Sequence, residues 1–143
     1  MISGKMTQYP DVHELLPQRD PFIMVSRLVF FTPEKVVTEL DIAEDNIFVE
    51  DGHFSVPGLN ENIAQTCAVR MGYISYSRKG KIRIGYIGAI SNFRVLRTPV
   101  AGEVISTCFE LIEEVFNVTL AHVTVHCGQE LIAETDLKIA LAD

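Results

Sequence analysis

The sequence predicts an α+β domain in which one antiparallel sheet wraps a single long central helix. Three observations carry this. From Pro57 to about Ser77, apolar residues recur at helical spacing: Leu59, Ile63, Cys67, Met71 and Ile74. Ahead of that stretch, two β-rich segments flank a turn signal. Behind it, the apolar period changes to two and holds to the end of the chain. Short links in that second half demand antiparallel hairpins. A sheet folded over a helix buries both apolar faces at once.

The elements follow in order. Asp11 to Pro17 reads as a short helical turn ended by proline. Phe22 to Phe31 is apolar and β-rich, Thr32-Pro33-Glu34 is a turn, and Lys35 to Ile42 reads as the partner strand. Asp45 to Phe48 suits a further turn. Pro57-Gly58 opens the long helix, and its apolar circumference predicts burial. Ala64, Ala68 and Gly72 are expected to let the sheet approach it closely. Arg78, Lys79 and Gly80 close it, with cations and a glycine where the helix dipole and the C-cap favour them. Four strands are then expected: Ile82 to Leu96, Val104 to Val115, Val118 to His126 and Leu131 to Leu141. His122 and His126 alternate with Val123 and Val125, which puts both histidines on the polar face of their strand. His13 falls in an exposed turn and is expected to be inert.

The 143 residues are expected to form one domain, residues 1–143, large enough to bury a core without disulfides or metals. Three cysteines, Cys67, Cys108 and Cys127, are widely spaced and lack zinc-ligand spacing. They read as free, mostly buried thiols in a reducing cytoplasm. The N-terminus lacks an apolar signal core, and no run of about 18 apolar residues is present, so no membrane insertion is expected. A net charge of −7 argues against nucleic acid as a partner. No cofactor or metal is implied.

The stretch DGHFSVPGLNENIAQT, Asp51 to Thr66, packs a histidine, a helix start, a carboxylate and an amide into few residues. Glu61 and Gln65 share one helix face, and Gln65 is expected to satisfy buried backbone or its twofold partner. Two readings stand: an ordinary strand-loop-helix junction, or an acid/base site. Glu61 in a first helical turn is favoured by the dipole with or without catalysis. Arg78, Lys79, Lys81 and Arg83 form a basic run in an acidic chain. It is either a solvated helix end or, with Arg94 and Arg97, a dock for an acidic partner.

Four segments together resemble the hot-dog-fold 3-hydroxyacyl-acyl-carrier-protein dehydratases. LLPQRDPFIMVSRL (15–28) resembles the family's opening Leu-Pro-x-Arg-x-Pro-Phe run. NIFVEDGHF (46–54) resembles its Asn-x-x-Phe-x-x-Gly-His-Phe. PGLNENIAQ (57–65) resembles its Pro-Gly helix start with a following Glu-x-x-Ala-Gln. IGAISNFRVLRTPVAGEVI (87–105) resembles its Phe-[Arg/Lys]-x-x-Val-x-Pro-Gly-Asp strand. Two departures stand out. Only Ser55 and Val56 separate Phe54 from Pro57, where the family carries a longer Pro/Gly-rich stretch, and Gln18 stands where many members have histidine.

The resemblance implies a hot-dog fold and a homodimer or higher homo-oligomer. It also implies a substrate carried as a 3-hydroxyacyl thioester on acyl carrier protein. It names His53 and Glu61 as the catalytic pair, contributed by different subunits. Gly58, Leu59 and Gln65 become substrate-binding residues, the first two through helix-start N–H groups aimed at the thioester oxygen. Such chemistry needs these groups. The C2 proton is weakly acidic and requires a placed base, and the thioester oxygen gains charge as the proton leaves. Two other functions remain open on sequence: a hot-dog thioesterase, in which Glu61 activates water, and an inactive dehydratase-like subunit paired with an active paralogue.

Overall fold

The computed structural model describes residues 9–78 and 85–141. A 3-10 turn, Val12–Glu14, precedes two strands, β1 (Arg27–Thr32) and β2 (Lys35–Asp41). A two-residue hairpin follows, β3 (Val49–Glu50) and β4 (His53–Phe54), then the helix α1 (Val56–Arg78). Strands β5 (Gly85–Val95), β6 (Val104–Val115), β7 (Val118–Cys127) and β8 (Glu130–Leu141) complete the chain. One six-stranded sheet runs in the order β1-β2-β6-β7-β8-β5, and every pairing in it is antiparallel. The expected sheet around one long helix is therefore present, and the fold is the hot-dog arrangement.

Alternation explains which face is inside. Val36, Thr38 and Leu40 of β2 lie opposite Phe109, Thr107 and Ile105 of β6, and all six are buried. Val123 and Val125 of β7 continue that face, while His122 and His126 point outward as expected. The helix lies on this face through Leu59, Asn62, Ile63, Thr66, Val69 and Arg70. Its contact is partly polar. The hydroxyls of Thr38 and Thr66 meet at 2.8 Å, and Thr107 donates to Asn62 Oδ1. These bonds satisfy groups that would be costly to bury unpaired and set the helix in one register.

Several expectations change. The stretch Phe22–Phe31 is a strand only from Arg27 onward. Residues 23–26 precede the strand: the Met24 N–H goes to Gln65, while the Ser26 N–H reaches the Glu39 carbonyl of β2 at 2.7 Å. The row Ala64, Ala68 and Gly72 does not admit the sheet. A Cβ on Gly72 would lie 2.1 Å from the Leu15 carbonyl oxygen, so this glycine admits the N-terminal segment instead. Ala64 and Ala68 line a pocket. The hairpin β3-β4 is an element the periodicity does not show, since its strands are two residues each. Of the basic run, Lys79, Lys81 and Arg83 lie outside the described residues, as does Gly80.

Candidate active site

The Asp51-Gly52 pair forms the tight turn between β3 and β4. Both residues take positive φ, 51° and 79°, as a two-residue hairpin turn requires. The next residue, His53, is thereby held at the surface of the fold with its ring exposed. Its neighbours in space come from the loop after β5. The backbone of His53 bridges Val100, the Phe54 N–H donates to the Pro99 carbonyl at 2.8 Å, and the Ala101 N–H donates to Gly52. His53 Nδ1 lies 3.1 Å from the Thr98 hydroxyl.

That loop is braced by charge. Arg97 bonds both Glu103 and Glu130, and Glu103 also accepts the Val100 N–H at 2.8 Å. The Arg97 guanidinium, the Val100 N–H and the Cys127 thiol hold the Glu103 carboxyl down to about 2, so it stays ionised at neutral pH. Arg94 pairs with Glu134. Both arginines that the docking reading adds to the basic run are engaged in ion pairs within the sheet and its loop.

Ser55 and Val56 carry the chain straight from β4 into α1. The short link is closed by the Leu59 N–H donating to the Ser55 carbonyl at 3.0 Å. This corrects the expectation for Leu59: its N–H is engaged inside the helix start and is not presented to a ligand. Gly58 lies in the first turn, where N–H groups lack helical acceptors. A Cβ there would come within 2.8 Å of Phe48 and Phe54, so glycine is what lets the helix start sit on these rings.

Because α1 begins at Val56, Glu61 lies in its second turn and the first turn carries no acid. A pull from the helix dipole therefore does not account for Glu61. What holds it is Gln65, whose Nε2 donates to a Glu61 carboxylate oxygen at 2.7 Å. Gln65 is buried, and the rest of its amide binds backbone: Nε2 to the Phe22 carbonyl, and Oε1 to the Met24 N–H. The expected backbone-satisfying role of Gln65 is present, and its amide also stands behind Glu61. His53 and Glu61 are thus fastened to different segments, residues 98–101 and residues 22–24.

A pocket of about 360 Å³ opens one turn beyond Glu61, between Ala64, Cys67, Ala68 and Met71 of α1 and Tyr86 and Ile87 of β5. Its lining is mainly apolar and includes Gln18. The Oε1 of Gln18 is buried with no hydrogen-bond partner among the described residues. Burial pushes the Cys67 thiol up to about 12, so this cysteine is an apolar wall and not a nucleophile.

A family model described as ApeP dehydratase matches residues 10–140. The chain belongs to the ApeP-like dehydratases. The matched range covers His53, Glu61 and all of the sheet but Leu141 at the end of β8. Among curated relatives, a 3-hydroxyacyl-[acyl-carrier-protein] dehydratase FabZ of Listeria monocytogenes is 29% identical over 144 residues, covering 96% of this chain and 98% of its own. The FabZ of Clostridium kluyveri is 27% identical over 139 residues, with 93% and 94% covered. Among solved structures, a chain of the dehydratase heterocomplex ApeI:P from Xenorhabdus doucetiae superposes with a TM-score of 0.86 at 18% identity, covering 95% of this chain and 93% of that one. A hypothetical thioesterase from Streptococcus pneumoniae reaches 0.66 at 11% identity, over 81% and 84%. At those identities the structural likeness establishes the shared fold.

Proposed function

We propose that this ApeP-like dehydratase removes water from 3-hydroxyacyl thioesters on an acyl carrier protein, yielding trans-2-enoyl thioesters. The observation that carries the reading is the retention of both His53 and Glu61, each with a dedicated hydrogen-bond partner, in a chain of a dehydratase family. His53 takes the C2 proton. The C3–O bond then breaks, the C2–C3 double bond forms, and the same proton returns to the departing hydroxyl as water leaves. Glu61, oriented by Gln65, holds the C3 hydroxyl during departure. The Gly58 N–H, at the positive end of α1, stabilises the thioester oxygen. The acyl tail extends into the pocket beside Ala64, Ala68 and Met71.

We further propose that the active species is a cytoplasmic oligomer of single-domain subunits, with His53 and Glu61 of each site supplied by two chains. Support comes from β5, an edge strand that leaves Tyr86 and Ile90 more than half exposed. Open apolar edges of this kind need a partner. No described helix is long and apolar enough to cross a membrane. The related Xenorhabdus structure is a heterocomplex, so a second dehydratase chain is an alternative partner to a second copy of this one.

One assay tests the activity. Purified protein is incubated separately with 3-hydroxyacyl and saturated acyl carrier-protein thioesters. Water loss from the first with no free thiol from the second is expected. Thiol release alone would replace the reading with a thioesterase. Silence in both, with activity restored by a co-expressed paralogue, would make this chain a non-catalytic subunit. Light scattering after gel filtration gives the oligomer, with a dimer mass expected for the chain alone.

A further inference from the structure

The loop that carries Thr98 is built to a higher specification than a connection needs. Residues on both sides of Thr98 are fixed. On one side, the Leu96 and Arg97 N–H groups donate to the Ile132 carbonyl, and Arg97 is bonded to Glu103 and Glu130. On the other, the Pro99 carbonyl and Val100 bind the His53-Phe54 backbone directly. Thr98 also precedes a proline, which confines its backbone to extended conformations. Its β-branch restricts the side-chain torsion. The hydroxyl is therefore delivered to one place, 3.1 Å from His53 Nδ1.

We infer that Thr98 is the positioning residue that divides the two nitrogens of His53, keeping Nδ1 for its own hydroxyl and leaving Nε2 for the acyl chain. The inference rests on the acid–base role proposed for His53. A neutral imidazole carries one proton, and the bond made by one nitrogen decides which tautomer is present. A base that must accept a proton at Nε2 needs its own proton at Nδ1. The Thr98 oxygen accepts that Nδ1–H. After proton transfer the ring is an imidazolium with an N–H at both nitrogens, and Nδ1–H still points at the same oxygen. The ring thus needs no rotation between taking the C2 proton and returning it to the hydroxyl. This removes a reorganisation step from the reaction while leaving substrate contacts untouched, so the effect falls on kcat and not on KM.

The test compares Thr98→Val, Thr98→Ala and Thr98→Ser with wild type. The dehydration assay is combined with ring 15N NMR of His53, which distinguishes the tautomers. The expected result has three parts. Val and Ala lower kcat about 10- to 100-fold at nearly unchanged KM, part of the roughly 10²–10⁴-fold that a positioned general base contributes. Both shift the neutral ring away from the Nδ1–H tautomer. Serine, which keeps the hydroxyl, restores both readouts. Unchanged kcat and tautomer in the alanine variant would overturn the inference. So would a kcat loss with the tautomer unchanged, or one that serine fails to rescue, because either leaves only a packing role. His53→Ala separates the underlying reading: full turnover there removes the acid–base role of His53, whereas the tautomer measurement on Thr98 variants stands by itself.

Discussion

The Gln65 amide nitrogen lies 2.7 Å from a Glu61 carboxylate oxygen, one helical turn away, and 2.9 Å from the Phe22 carbonyl oxygen. The Glu61 carboxylate is therefore tied to the extended segment ahead of β1. Its aim depends on a contact across the fold as well as on its place in the helix.

Glu61→Gln keeps the shape of the side chain and an oxygen that can accept from Gln65, but it cannot exchange a proton. Turnover is expected to fall on the order of 10²-fold or more. Thermal unfolding should match wild type. Turnover at the wild-type rate would remove Glu61 from the reaction.

Gln65→Leu fills a similar volume but strands the Met24 N–H and the Phe22 carbonyl. The buried Met24 N–H left unpaired costs about 1–3 kcal/mol, and the partly buried Phe22 carbonyl less. The urea midpoint is expected to fall accordingly. Activity should drop further than stability accounts for, since Glu61 loses its partner. A midpoint equal to wild type would show that the clamp contributes nothing to folding.

Gly72→Ala and Ala68→Leu separate the two roles within the small-residue row. The new methyl at 72 meets the Leu15 backbone, which cannot yield as a side chain can, and overpacking of this kind costs about 1–3 kcal/mol. The larger side chain at 68 instead enters the pocket. Melting curves should show a clear loss for Gly72→Ala and little change for Ala68→Leu. Equal losses would mean that Ala68 faces packed structure. Turnover of long acyl chains should fall in Ala68→Leu before turnover of short ones.

The N-terminal turn should carry a pH signature. Hydrogen bonds donated by the ring to the Asp20 and then the Asp11 carboxylate raise the His13 value above its usual 6.5, with Arg19 bonded to the His13 carbonyl nearby. A raised value in the fold means that this contribution is fully present below 6.5 and is lost as pH rises through the raised value. The pair is exposed, so its contribution to stability is small. NMR titration of His13 should show an inflection above 6.5 in wild type and a lower one in Asp20→Asn. A wild-type inflection at or below 6.5 would contradict the contact.

Much of the fold was legible because its signals are local. Alternation in β6, β7 and β8 follows directly from which face is buried, and the Phe116-Asn117 and Gly128-Gln129 links leave no room for anything but hairpins. The long helix was legible from its spacing, and its start was misplaced by a single residue. The hairpin around Asp51-Gly52 was not read as such. Its flanking strands are too short for any period to show, although the Asp-Gly pair itself is a hairpin signal.

For the site, the sequence by itself determined the chemistry available: a histidine behind a tight turn and a carboxylate and an amide on one helix face. Motif spacing is enough for that, because a glycine turn and a helical repeat place their residues by local geometry. Only the tertiary structure decided what each group is bonded to. Gln65 finds Met24 across 41 residues and His53 finds Thr98 across 45. Such partners are chosen by which buried donors and acceptors the closed sheet brings together, and no local pattern encodes that choice. The same reason explains the misread residues. Gly72 looked like a seat for the sheet until Leu15 occupied the space, and which backbone groups Gln65 would satisfy was fixed only when the segment at 22–24 closed on it.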